Sequence, residues 1–272
     1  MATTAPTGMR RSAWDYLLEF TEAHEALVLS MYNASASEQD VTVGIGTKLF
    51  SEEKCQTDGW ILPLFHDKSD VNKPITVADV QSDFRRAAQI PRVGNVTKAN
   101  LIPEYEVLQL RTTPEKARER MAVQLYDNVT TMLKPGSHGW AFENFSGYPA
   151  DAQVAIASFS YARPAWDFPL LLDAIKRADF DEACKQVWIQ KASPAKNIAQ
   201  ERIFWNAARV MQQGLDFDRV YSKPTHGPAI LPWKAWTETD IDLDAGTTRT
   251  TPHEQSLNQP KRMADTDPRE TL

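Results

Sequence analysis

The sequence predicts an α+β protein that is mainly helical, and three observations lead to this expectation. Apolar residues recur at helical spacing through much of the second half, from Pro149 to Gln213. Near the N-terminus, two short segments instead resemble strands on either side of a polar turn. The 272 residues contain 42% hydrophobic and 24% charged side chains, which is ordinary for a globular protein with a sizeable core.

The first elements are expected to be a helix that leads into a β-hairpin. Ser12, with Asp15 three positions later, is typical of a helix start, and the apolar face continues to about residue 26. The period then changes, and strands are expected over 28–33 and 41–47.

More helices are predicted after the hairpin. Thr76 is a good N-cap for a helix over 77–89, which ends before Pro91. Another helix is expected over 115–133, because Pro114 is tolerated at a helix start. The remaining helical segments each carry an apolar stripe and are expected at 149–161, 168–178, 181–190 and 193–213.

Composition divides the chain into three parts. A flexible start over 1–11 precedes a folded domain over 12–222, and a polar, largely flexible tail over 223–272 follows it. Within the domain, residues 91–113 contain several Pro and Gly turn signals and are interpreted as an insertion.

Charge and cysteine content narrow the classes of function. The formal net charge is −6, so no overall basic field favours nucleic acid or an anionic membrane. Cys55 and Cys184 fit no metal motif and are expected to be buried free thiols, with one long-range disulfide as the alternative. No segment reaches the roughly 18 apolar residues of a membrane span. Synthesis in the cytoplasm without a signal peptide is expected, because the N-terminus lacks an apolar core.

A catalytic pattern lies around the hairpin. Glu25 closes the first helix, Tyr32 follows on the first strand, and Thr42 and Gly44 lie on the returning strand. In this order, the residues resemble the opening motif of the phage-type lysozymes, the muramidases of glycoside hydrolase family 24. Later segments that resemble helices of the same family are 74–80, 149–161, 170–184 and 211–214.

The resemblance implies a two-lobed, lysozyme-like fold. A small lobe with the hairpin and a helical lobe would enclose a cleft, and the helix over 115–133 would join them. The implied reaction is hydrolysis of the β-1,4 linkage between N-acetylmuramic acid and N-acetylglucosamine in peptidoglycan, without metal or cofactor. The expected partners are peptidoglycan glycan strands, with no nucleic acid and no membrane span.

The resemblance also implies roles for single residues. Glycoside hydrolysis needs an acid that protonates the leaving oxygen, and this role falls to Glu25, among apolar neighbours that keep it protonated. Thr42 would hold the attacking water. Glu22, one turn earlier on the same helix face, is the alternative acid, whereas His24 is expected at the surface or in packing. The residues expected to contact the glycan are Tyr32, Gly44 and Trp140.

The second carboxylate of the family is missing from its usual place. The positions where the family pattern expects it hold Ala34 and Ala36. The nearest acids, Glu38 and Asp40, lie in the hairpin turn, and strand alternation places both on the face of Thr42. Either acid is therefore a candidate for the catalytic base.

The last helix also departs from the family. Ile203 and Phe204 stand where the family often carries two arginines, with Arg202 beside them and Arg209 further along. We therefore expect a different residue to supply any positive charge at the cleft.

Several functions agree with these features. The substrate lies outside the inner membrane, so the protein would act there after export, injection or lysis. It would be a phage endolysin or an antibacterial effector of a contact-dependent (type VI) secretion machine, and an effector would need an immunity protein. The alternatives are a lysozyme-fold wall-binding or structural protein without turnover, and a lytic transglycosylase, which needs only one carboxylate.

Overall fold

The computed structural model confirms the mainly helical α+β class. It describes residues 4–25, 27–34, 41–49, 65–66, 75–90, 108, 110–134, 144–162, 168–189 and 194–223. The helices in these ranges are α1 Arg11–His24, α2 Val77–Gln89, α3 Pro114–Met132, α4 Ala150–Ala162, α5 Pro169–Lys176, α6 Phe180–Gln186 and α7 Pro194–Gln213. None of these helices is long and apolar enough to cross a membrane.

Local sequence correctly predicts the N-cap of α2 but not that of α1. Thr76 caps α2 as predicted, because the Asp79 amide donates to its hydroxyl at 3.2 Å and its own amide donates to Asp79 at 2.8 Å. The predicted cap at Ser12 is wrong, since α1 already begins at Arg11. The Ser12 hydroxyl instead donates to the carbonyl of Asp218, a contact that only the tertiary fold creates.

The hairpin forms where the sequence predicts it. Strands β1 Leu27–Asn33 and β2 Val41–Ile45 pair in antiparallel fashion, with Tyr32 directly opposite Thr42. The pairing is irregular between Val28 and Tyr32. The turn residues 35–40 lie outside the described residues.

Three short strands were not predicted. They are β3 Thr47–Lys48, which pairs with β2, and β4 Phe65–His66 and β5 Leu110–Arg111, which pair with each other. Gly46, with φ at +65°, makes the reversal between β2 and β3. The described end of the predicted insertion 91–113 lies against the hairpin, because the Thr112 amide donates to the Leu29 carbonyl at 2.8 Å.

Buried apolar side chains form two clusters in the described part of the chain. One cluster joins the hairpin to α2 and includes Met31, Val43 and Val80. The other lies among the helices and includes Trp14 and Ile156. Helix α3 packs on both β2 and α4, so it lies between the sheet and the helices.

Helix α4 is the centre of the helical cluster. All its residues from Ala150 to Phe159 are buried, as expected for a helix surrounded by other elements. The Gln153 side chain accepts a bond from the Arg10 amide at 2.8 Å and donates to the Gly8 carbonyl at 3.1 Å. Residues 8–10, which the composition predicts to be flexible, are therefore attached to the core.

Asp151 attaches the other end of the described chain to α4. The amides of Tyr221 and Ser222 each donate to its carboxylate at 2.9 Å. The Ser222 hydroxyl donates to the same carboxylate, and the Tyr16 hydroxyl donates to the Ser222 carbonyl at 3.1 Å. Asp151 is fully buried, and this burial raises its pKa despite the hydrogen bonds.

We expect Asp151→Asn to lower the free energy of unfolding by about 2 kcal/mol or more. The side-chain amide would place its own N–H groups against the backbone N–H groups of Tyr221 or Ser222. Urea unfolding measures the effect, and the exposed carboxylate of Asp173 in α5 provides the control. Asp173→Asn should change the free energy by no more than about 0.5 kcal/mol. Equal stabilities of Asp151→Asn and the wild type would contradict this account.

Candidate active site

Two charged side chains that are far apart in the sequence meet beside the hairpin. Glu25 is the C-cap of α1, where its amide donates to the Thr21 carbonyl at 2.9 Å and its extended backbone leads towards β1. The Lys196 ammonium, in the first turn of α7, lies 2.5 Å from Glu25 Oε1. The side chain of Lys196 is 11% exposed and that of Glu25 27% exposed, so the fold shields much of this ion pair from solvent.

The second carboxylate oxygen of Glu25 lies near the Gly46 turn. A Cβ atom on Gly46 would lie 3.6 Å from Glu25 Oε2 and 3.5 Å from the Tyr161 hydroxyl oxygen. That hydroxyl donates to the Gly46 carbonyl at 3.2 Å. The space above Gly46, which a side chain would fill, is therefore bordered by a carboxylate oxygen and a phenol.

Tyr161 links this group to the strand residues. Burial raises the pKa of Tyr161, and the nearby Glu25 charge and the Tyr32 phenol raise it further. Tyr161 therefore remains a protonated donor at neutral pH. Tyr32 and Thr42, which the register places opposite each other, share one face of the hairpin. Both are buried, with 7% and 5% of their surfaces exposed.

The surroundings of Glu25 differ from those expected. The sequence predicts apolar neighbours that keep an acid protonated, but an ammonium ion pairs with the carboxylate instead. Glu22, the alternative acid, pairs with Arg118 of α3 at 2.7 Å. Glu22 and Glu25 therefore have different cations as partners, and only Glu25 borders the space above Gly46.

Sequence reasoning missed Lys196, although one signal was available. A lysine in the first turn of a helix opposes the helix dipole, and the first turn of α7 contains no acidic residue. A carboxylate elsewhere in the fold can compensate this unfavourable charge. The arginine noted further along α7, Arg209, instead pairs with Asp181 at 2.9 Å.

Of the remaining predicted site residues, the structure describes Gly44. Gly44 has φ at +68°, and a Cβ there would come within 3.2 Å of Ala117 Cβ, so glycine permits β2 to approach α3. Its predicted contact with the glycan stays a prediction. Glu38, Asp40 and Trp140 lie outside the described residues.

His24 packs beside the candidate acid. Its ring lies 4.4 Å from that of Phe20, between ring centres. The pKa of His24 is lowered, chiefly by burial and further by the positive charge of Lys196, while the charge of Glu25 acts in the opposite direction. A packing role agrees with this position.

We expect His24 to make the protein less stable in mild acid. The unfolded chain takes up a proton near the ordinary histidine pKa, about 6.5, but the folded protein does so only at lower pH. Protonation of His24 therefore leaves the free energy of unfolding unchanged above pH about 6.5 and lowers it as the pH falls below that value. Urea unfolding at pH about 7.5 and about 5.5 should show a smaller decline in His24→Gln than in the wild type. Equal declines would refute the role of His24.

The described residues offer no evident metal centre. Among them, no three His, Cys, Asp or Glu side chains come together in a way that could hold a metal ion. Cys184, the described cysteine, is a buried free thiol, and burial raises its pKa. Comparison of the chain with protein-family models, with curated proteins and with solved structures found no match.

Proposed function

We propose that the protein is a peptidoglycan hydrolase of the muramidase type, with Glu25 as its general acid. The observation that carries this proposal is the arrangement of the Glu25 carboxylate. One oxygen is held by Lys196, while the other borders the space above Gly46. A carboxylate fixed at one oxygen and accessible at the other suits directed proton transfer to a bound substrate.

The chemistry follows from these positions. Protonated Glu25 would give its proton to the glycosidic oxygen, and the bond from that oxygen to C1 of the muramic acid would break. The ammonium of Lys196 would stabilise the carboxylate that remains. Water held by Thr42 would then attack C1, and its proton would pass to a base.

The base is proposed among the turn residues Glu38 and Asp40. Both precede β2, which carries Thr42, by only a few positions. Comparison of Glu38→Gln with Asp40→Asn would identify the base as the variant with the larger loss of turnover. Equal, undiminished turnover in both variants would exclude a base at either position.

We also propose that the described elements form the two lobes of a lysozyme-like fold. Two observations support this: the separate apolar clusters of the sheet and of the helices, and the contacts of α3 with both. Along the chain, Glu25 is the C-cap of α1 and directly precedes the hairpin.

Digestion of purified peptidoglycan, followed by mass analysis of the products, tests the function. A hydrolase releases muropeptides with ordinary reducing ends. A lytic transglycosylase releases anhydro-muropeptides, and a wall-binding or structural protein releases nothing.

The transglycosylase is the second candidate, and a specific observation favours it. Ala34 and Ala36 stand where the family pattern expects the second carboxylate, and a transglycosylase needs no base to activate water. In that reaction, Glu25 would act alone, with Lys196 as its counter-ion. Anhydro products would therefore agree with Glu25 as the site residue but would show that the reaction is a transglycosylation.

The route to the wall is a separate proposal. Delivery as an antibacterial effector predicts that a small secreted inhibitor, the immunity protein, is encoded beside this chain. A holin in that position would instead support the endolysin.

A further inference from the structure

We propose that Tyr161 is a positioning residue whose hydroxyl holds the Gly46 turn against the Glu25 carboxylate. The proposal rests on the function proposed above and adds a residue that lies outside the opening motif around the hairpin. It depends on three features of the described chain: a rigid origin for Tyr161, its bond to the Gly46 turn, and the position of that turn beside the Glu25 carboxylate.

The origin of Tyr161 is the last turn of α4, which side-chain hydrogen bonds fix from two directions. Gln200 of α7 donates to the Ser158 hydroxyl at 2.7 Å. Asn128 of α3 donates to the Ser160 hydroxyl at 3.0 Å. Tyr161 therefore projects from backbone that two of the neighbouring helices, α3 and α7, hold in place.

The turn at Gly46 leads into Thr47, whose hydroxyl donates to the Gln124 side chain of α3 at 3.2 Å. The strand that follows it, β3, pairs with β2 over only two residues, Thr47 and Lys48. The bond from the Tyr161 hydroxyl to the Gly46 carbonyl, at 3.2 Å, connects this turn to the central helix. Partial burial of Tyr161 shields this bond from competing water.

The Gly46 turn lies beside both side chains. Glu25 Oε2 and the Tyr161 oxygen lie 3.6 and 3.5 Å from the position of an added Gly46 Cβ. A general acid must come within about 3 Å of the oxygen that it protonates. Movement of the turn by about 1 Å is therefore expected to slow proton transfer on the order of 100-fold.

The test compares two tyrosines that make the same kind of bond. Tyr161→Phe removes the bond to the Gly46 carbonyl, whereas Tyr148→Phe removes a buried bond to the Ile175 carbonyl at 2.9 Å, outside the site. Both variants should unfold at somewhat lower temperature. Only Tyr161→Phe should lower kcat on peptidoglycan, by about 10-fold to 100-fold, with KM within about 2-fold of the wild type. Equal kcat losses in the two variants, or none in Tyr161→Phe, would overturn the proposal.

A second readout separates this proposal from the proposed function. The carbon-13 resonance of the Glu25 carboxyl, assigned by its absence in Glu25→Gln, reports the surroundings of that group without turnover. It should move in Tyr161→Phe but not in Tyr148→Phe, even if the wild type releases no muropeptides. An unmoved resonance in Tyr161→Phe would overturn the positioning role, while wild-type inactivity alone would refute only the hydrolase.

Discussion

Replacement of Glu25 by Gln is expected to lower peptidoglycan cleavage by about 10³-fold while the fold is retained. The amide cannot supply the proton that the leaving oxygen needs. Its carbonyl oxygen can still accept a bond from Lys196, so the buried ammonium keeps a polar partner. Release of soluble muropeptides measures the first effect, and thermal unfolding measures the second.

Glu22→Gln is the matched control for this prediction. Glu22 lies one turn earlier on α1 and also has a cationic partner, Arg118 of α3, at 2.7 Å. The variant should keep wild-type turnover, because an exposed ion pair contributes little to stability or orientation. Full activity in Glu25→Gln together with loss in Glu22→Gln would show that the acid was assigned to the wrong residue.

Replacement of Lys196 by Met is expected to reduce both turnover and stability. Without the ammonium, Glu25 loses the contact that fixes one of its carboxylate oxygens. We expect kcat to fall on the order of 10-fold to 100-fold. The free energy of unfolding should fall by about 1–3 kcal/mol, below the range for a fully buried pair because Glu25 is partly exposed.

Two further variants identify the cause of that loss. Lys185→Met removes a lysine whose pair with Glu182 lies on the surface, and it should leave turnover unchanged. Lys196→Arg restores the positive charge and should recover part of the turnover lost in Lys196→Met. If Lys196→Met had wild-type kcat, the ion pair would have no role in the reaction.

Local sequence chemistry predicted the elements well where the interactions are local. The capping residue Thr76 and the Pro114 helix start both lie within a few residues of the groups they serve. The hairpin strands formed as expected, because their residues pair with neighbours close in the chain. The start of α1 was misplaced by two residues, because the cap is Arg10 and Ser12 has its partner at Asp218, far away in the sequence.

In the candidate site, too, the residues within a local motif were predicted and those brought together by long-range contacts were not. Glu25 and Thr42 were predicted from a motif that lies within one short stretch of sequence. Lys196, which is 171 positions from Glu25, and Tyr161, which is 115 positions from Gly46, have no local pattern that pairs them. Their contacts depend on how α4 and α7 pack, and helical periodicity determines the buried face of a helix but not its neighbour.

The most direct test of the central claim is digestion of peptidoglycan by the wild-type protein in water enriched in heavy oxygen. If Glu25 protonates the leaving oxygen and water attacks C1, the heavy oxygen must appear in new reducing ends that are N-acetylmuramic acid. The same label should be absent from Glu25→Gln digests. Label in reducing-end N-acetylglucosamine, or unlabelled anhydro-muropeptides, would contradict a muramidase.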